Sequence, residues 1–369
     1  MAAQNWLRAA IVSSVCLGLA SADDCSGTTT ISSNADATSL AEACKTYSGI
    51  VAVATGASGD LSLEVERSSY AIGNTGISSL DGGASDAVLE DINVYSNKDL
   101  EDITIDCTHA DNITIGANSD KADISFPNLK EAVDIEIANA SAIDLSALES
   151  LPRGALHIYG GSLEKLDLAA FTEVSDGLIL EDLPKLTQLS APEFTRIMDR
   201  GALTISNTGL TELSLPKLQL IYSSLWLEGD FESVDLPLLT SVGGDIYMKG
   251  AKSFDCDAFS EQFSKLATGE QTFKCVAGDD SDESDSEASK PTASSSFNSA
   301  SSTKTAASSK SAAATSGAAS SGAASSGAAS SAAASSAAAT PTNASSAASS
   351  FGVGMATLGG VVGLVSFFL

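Results

Sequence analysis

The chain has 369 residues, 43% of them hydrophobic but only 5% aromatic, and a formal net charge of −28 from 47 acidic and 19 basic residues. So few Lys and Arg, thinly spread, argue against nucleic-acid binding, where basic groups must neutralise phosphate. Two histidines are a poor basis for a metal site or a catalytic triad.

Residues 1–22 read as a secretory signal peptide. Arg8 precedes an apolar run from Ala9 to Leu19, and Ala20-Ser21-Ala22 offers a cleavage site before Asp23. The run is too short to span a bilayer as a stable helix. Secretion implies an oxidising compartment, which removes Cys16 with the signal and pairs Cys25 with Cys44 and Cys256 with Cys275. Ser39-Leu40-Ala41-Glu42 fits a capping box opening a short helix. Ile50 to Leu89 holds irregular coils, with Val51/Val53 and Leu61/Leu63 as candidate strand pairs.

From Ile92 to Met248 an apolar–any–apolar phrase recurs: Ile92/Val94, Ile113/Ile115, Ile135/Ile137, Leu156/Ile158, Leu178/Leu180, Leu203/Ile205, Leu225/Leu227 and Ile246/Met248. The second members are spaced by 21, 22, 21, 22, 25, 22 and 21 residues. A unit of this size cannot bury its own apolar face and must stack on its neighbours. Period-two alternation makes each phrase a strand with those members inward. A second column follows about ten residues later, for example Ile103/Ile105, Ile124/Phe126 and Leu213/Leu215, often ending in Pro, as at Pro127, Pro192, Pro216 and Pro237. Pro cannot donate to a ladder, so it marks a strand end. A corner residue comes next: Val133, Leu151, Val174, Ile197, Ile221 and Val242. Residues 23–277 therefore predict an all-β-dominated parallel solenoid, its C-terminal end closed by helically spaced Ala258, Phe259, Phe263 and Leu266. Cys107 continues the inward alternation and reads as a buried, inert thiol.

The outward positions of the first column bring most of the chemistry. Tyr95, Tyr159, Trp226 and Tyr247 fall on one exposed face, with carboxylates beside them. Flat aromatics stack on sugar rings and anchor protein partners, although strands also carry aromatics for their β-propensity alone. The sequons at Asn112 and Asn139 predict exposed N-glycans at the edge of this face. His109 lies in a turn, and His157 points outward between Leu156 and Ile158. No residues form a defensible catalytic, metal or cofactor site. The Gly82-Gly83, Gly160-Gly161 and Gly243-Gly244 pairs read as turns rather than phosphate loops.

Residues 278–350 read as a stalk. Asp279 to Glu287 is an acidic run, followed by Ser, Ala, Thr and Gly to Ser350. This composition cannot bury a core and fits an O-glycosylated stalk. Residues 351–369 are apolar and uncharged, which after small residues and a polar spacer is the pattern of a GPI-attachment signal. A single-pass membrane anchor is the competing reading, but it normally leaves positive charge on the cytoplasmic side. Asn343 is the expected attachment residue, with Ser345 and Ser346 as neighbouring options.

Signal peptide, cysteine-capped aliphatic coils, Ser/Ala stalk and GPI tail, in that order, resemble the fungal GPI-anchored cell-wall organisation proteins. The specific part is the coil phrase, as in Leu213-Ser214-Leu215-Pro216-Lys217-Leu218 and Val234-Asp235-Leu236-Pro237-Leu238-Leu239. The resemblance implies an ectodomain like the receptor L domain, a right-handed β-solenoid related to leucine-rich repeats, here without their Asn ladder or a helix per unit. It also implies a non-enzymatic role in wall organisation, at the extracellular face of the plasma membrane or in the wall. Wall polysaccharide or wall glycoproteins are the expected partners. A polysaccharide-active enzyme and a receptor-like ectodomain acting through a membrane partner are the alternatives.

Overall fold

A computed structural model describes residues 25–267 and 271–278. The signal peptide, acidic run, stalk, hydrophobic tail and Asn343 expected from the sequence lie outside the described residues.

The inward pairs stack as the spacing requires. Ile92 is register-paired with Ile113, Ile113 with Ile135, Ile135 with Leu156, Leu156 with Leu178, Leu178 with Leu203, Leu203 with Leu225, and Leu225 with Ile246. Every member of these pairs is buried. The strands are parallel rungs of a 17-stranded sheet, joined on the same coils by a 7-stranded sheet and a 2-stranded one. At about 25 cal/mol per Å2 of apolar surface, burying an aliphatic pair in each coil dominates the favourable energy of the fold.

The column is longer than the repeated phrase. Val51/Val53 pairs onto Tyr70/Ile72, which pairs onto Ile92/Val94. At the far end Phe273/Cys275 pairs onto Ile246/Met248. Tyr70 hides its rung from a search for aliphatic pairs. Its ring fits because Gly82 opposite has no side chain; a Cβ there would lie 3.0 Å from Tyr70 Cε2. The Tyr70 hydroxyl donates to Leu63 O and accepts from Gly83 N. Gly82 and Gly83 thus end the strand Gly76–Gly83 instead of forming a separate turn.

The second column behaves as expected, with Leu61/Leu63 as one of its pairs. Its Pro residues follow the strand ends, where Leu218 N donates to Leu215 O and Leu239 N to Leu236 O across tight turns. The corner adds a third short strand per coil, such as Ser150–Leu151 and Leu220–Ile221. Here one residue of the expected column is corrected. Glu131 pairs with Ser150, so buried Ala132 occupies the column and Val133 is only half-buried.

Both capping helices need adjustment. The first, α1, runs Asn34–Ala43 with Ser33 as N-cap, and Ser39 lies inside it, bonded to Ala35 O. The box is closed by Ser33 and Asp36: Asp36 N donates to Ser33 Oγ, and Ser32 N donates to the Asp36 carboxylate. An acidic residue one turn earlier than the Glu42 of the sequence pattern therefore sets the start. The second, α2, spans Cys256–Phe263 and buries Phe259 and Phe263, but Ala258 is exposed and Leu266 lies beyond the helix. Disulfides join Cys25 to Cys44 and Cys256 to Cys275. The first ties α1 to the start of the N-terminal rung, and the second ties α2 to the last rung. Cys107 is free and fully buried, and burial pushes its thiol up to about 12.

The expected lack of an Asn ladder is also corrected. Asn97 is buried and donates to Ile72 O and Tyr95 O, while its Oδ1 accepts from Thr75 N. Asn118 repeats the arrangement one coil later through Val94 O. These amides satisfy backbone groups that the corner would otherwise bury unpaired.

Candidate functional site

Alternation puts the residue between each inward pair on the outer face of the first sheet. The register then aligns Asn93, Thr114, Glu136, His157, Ile179, Thr204, Trp226, Tyr247 and Lys274 in one ladder. A parallel ladder runs two residues on, through Tyr159, Glu181, Ser206, Glu228 and Lys249.

The four aromatic residues do not form one platform. Trp226 and Tyr247 stack with ring centroids 4.1 Å apart and planes inclined by 19°. Lys274 Nζ lies 6.0 Å from the Tyr247 centroid. Tyr159 sits elsewhere, stacked at 4.7 Å on His157 and donating its hydroxyl to Glu136 at 2.9 Å. Burial, the Glu136 hydrogen bond and the Glu136 charge push the Tyr159 hydroxyl up to about 12. Tyr95 lies three rungs earlier, roughly 14 Å away at about 4.8 Å per rung. It covers Gly73, where a Cβ would stand 3.4 Å from the ring.

Nor is the face as exposed as sequence alternation implies. Trp226 is only 8% exposed, Thr204 is fully buried and Ile179 is 5% exposed. Adjacent large side chains in a ladder shade one another, an effect that a single strand does not reveal. Three of the shaded residues hold unsatisfied polar atoms. Thr204 Oγ1, Trp226 Nε1 and both His157 ring nitrogens have no hydrogen-bond partner. His157 Nε2 stands 3.7 Å from Glu181 Oε2, close enough for charge attraction when the ring is protonated. His109, expected in a turn, instead opens the strand His109–Gly116.

Asn112 and Asn139 are both exposed. Asn112 Nδ2 donates to Asp91, and Asn139 occupies a corner at φ 60°. Cys107 is distant from this face, on the inward side.

Sequence reasoning missed a groove of about 740 Å3 beside the Trp226–Tyr247 pair. Its lining includes Asp182, Asn207, Thr208, Glu228, Asp230 and Lys249. The available signal was Gly229 and Gly250, 21 residues apart and each one past a ladder residue.

The chain is similar to three fungal proteins. It is 28% identical over 232 residues to a "Cell surface GPI-anchored protein" of Arthroderma benhamiae, covering 60% of this chain and 58% of that one. It is 28% identical over 217 residues to "Protein ecm33" of Aspergillus fumigatus, covering 58% of this chain and 53% of the relative. It is 26% identical over 192 residues to "Sporulation-specific protein 2" of Saccharomyces cerevisiae, covering 51% and 38%. The chain thus spans between about a third and three-fifths of the length of these relatives. No family model matches the chain, and no solved structure matches it. Its homologues are fungal cell-surface proteins of the GPI-anchored and ecm33 kind, and its parallel β-solenoid is consistent with the L-domain-like fold.

Proposed function

We propose that this protein, a homologue of fungal GPI-anchored cell-surface proteins, is a non-enzymatic surface glycoprotein. It supports cell-wall organisation by holding wall polysaccharide or wall glycoprotein against the outer face of its first sheet. A cleaved signal peptide, N-glycans on Asn112 and Asn139, a stalk and a GPI anchor near Asn343 would present that face outside the plasma membrane.

The observation that carries the reading is the Trp226–Tyr247 stack beside Thr204 and Trp226 polar atoms that no protein group satisfies. Unsatisfied buried polar atoms cost free energy, so a face that keeps them is suited to a ligand that supplies the missing partners. The stack presents a flat, polarisable surface to such a ligand.

The test is retention of the full-length protein on insoluble wall glucan, chitin and mannoprotein, with Tyr247→Ala and Trp226→Ala beside the parent. Melting temperatures identify variants that bind less only because they fold less. Selective loss by folded Tyr247→Ala is expected. Equal retention of parent and variants would remove this face from the proposal, and new reducing ends released from a glucan would favour the enzyme reading. Release of the protein from cells by phospholipase, glucanase or neither checks the anchor.

A further inference from the structure

The groove beside the aromatic pair has a structural cause. Asn74, Ser96, Ala117, Asn139, Gly160, Asp182 and Asn207 all adopt left-handed backbone, with φ between 52° and 70°. The register makes them one corner column, because each follows a residue paired with its equivalent in the next coil. The next two members are Gly229 and Gly250, which follow the pair Glu228 and Lys249. Neither is left-handed. The corner changes conformation here and also loses its side chains, which opens the groove. Glu228 and Lys249 lie two residues past Trp226 and Tyr247, so it begins roughly 7 Å along the strands from the aromatic stack.

Thr208 lines the groove, is 7% exposed, and has no hydrogen-bond partner for Oγ1. Its column is the one in which Asn97 and Asn118 bond backbone carbonyls in earlier coils. Thr208 keeps a polar atom in that column without giving it this structural task. The charge balance narrows the ligand. Asp182, Glu228, Asp230 and Glu232 face Lys249 and Lys252 across the lining. Lys249 is held by Glu228 at 3.3 Å, and Asn207 Nδ2 donates to Asp182 at 2.8 Å. Four carboxylates against two ammonium groups repel an anion. Carboxylate acceptors alternating with amide and hydroxyl groups match the paired donors and acceptors of vicinal hydroxyls.

We infer that this groove is a subsite for one neutral sugar unit of a saccharide chain whose neighbouring unit lies on the Trp226–Tyr247 stack. The inference rests on the saccharide branch of the function proposed above, and adds a location and a charge class.

The experiment titrates the full-length protein with three soluble probes: a neutral glucan or mannan oligosaccharide, a glucosamine oligomer, and a phosphorylated mannose oligosaccharide. Thr208→Val removes the hydroxyl at nearly constant shape. Gly229→Ala narrows the groove without disturbing the fold, because its Cβ would sit 3.4 Å from Phe231 Cε2 in ordinary contact. The neutral probe is expected to bind, and Thr208→Val to weaken it about tenfold, the worth of one good hydrogen bond to ligand. Its melting temperature should be unchanged or higher. Gly229→Ala should weaken the same probe while Tyr247→Ala weakens all saccharide binding. Preference for the phosphorylated or amine probe overturns the charge argument. Parent-like affinity in both groove variants overturns the subsite. If insoluble glucan is still retained through Tyr247 in those variants, the groove alone has failed. If neither soluble nor insoluble saccharide binds the parent, the function itself has failed.

Discussion

Thr204→Val should make the protein more stable. Thr204 is fully buried between Ile179 and Trp226 in the outward ladder, and its hydroxyl has no partner. In the unfolded chain that hydroxyl is hydrated, so folding strips its water and returns nothing. An unsatisfied buried polar group costs about 1–3 kcal/mol, and the methyl that replaces it gains roughly 1 kcal/mol of apolar burial. Valine also keeps the β-branched shape that a strand favours. Allowing for imperfect packing of the new methyl, a gain of about 1–2 kcal/mol follows. Equilibrium urea unfolding of parent and variant measures it as a shift in midpoint at constant slope. A loss of 1 kcal/mol or more would refute the reasoning, since it would mean that Thr204 makes a stabilising hydrogen bond. A saccharide ligand should stabilise the parent more than the variant if the hydroxyl is kept for binding.

Three further outcomes follow from the same geometry. Ile137→Ala removes a fully buried rung side chain flanked in register by Ile115 and Ile158; a loss of about 2–5 kcal/mol is expected in the same unfolding assay. Gly83 and Gly229 should respond oppositely to alanine. Gly83 has φ 79° and its Cβ would fall 2.1 Å from Asp106 O, so Gly83→Ala should depress the melting temperature by many degrees while Gly229→Ala leaves it near the parent's. Cys107 should resist thiol reagents at pH 8 until the protein is denatured, because burial holds its thiol neutral up to about 12. The folded state keeps this proton at pH values where the unfolded thiol, near 9, has released it. Stability must therefore fall as pH rises from about 9 towards 12, and Cys107→Ala should reduce that fall.

The apolar interior was legible because each inward position repeats at nearly the same interval and is filled by Ile, Leu or Val. The rung at Tyr70 was hidden because an aromatic replaced an aliphatic and its compensation, Gly82, lies on the opposite strand. The Asn97–Asn118 ladder was hidden because it has only these two rungs, and later coils place Ala140, Gly161 and Leu183 in that column. The helix start at Ser33 competed with a second, equally good capping pattern at Ser39. On the outer face the sequence named the right aromatics, but alternation says only which side a residue takes. It does not say which rungs are adjacent, and adjacency separates Tyr95 and Tyr159 from the Trp226–Tyr247 stack. The groove was harder still, since it exists through side chains that Gly229 and Gly250 lack.

The one long coil shows which quantity the fold holds constant. Leu180 and Ile205 are 25 residues apart, yet they pair directly in register, as do Leu178 with Leu203 and Ile179 with Thr204. Part of the extra chain is taken up at the corner after Ile197. There Met198–Gly201 closes a turn with Gly201 N bonded to Met198 O, and Asp199 adopts φ 52°. Ser175 of the preceding coil donates to the Asp199 carboxylate, holding the insertion against its neighbour. A corner can lengthen because its backbone has other partners available. A rung cannot, since a slip of one residue would turn Leu203 and Ile205 outward and bury Thr204 and Ser206 in the core. The same register carries the outward ladder across the long coil without a break and delivers Trp226 beside Tyr247. Core stacking and the candidate binding face are therefore two sides of one constraint: a substitution that shifts the rung at Ile205 would disturb the Trp226 face even though it touches neither ring.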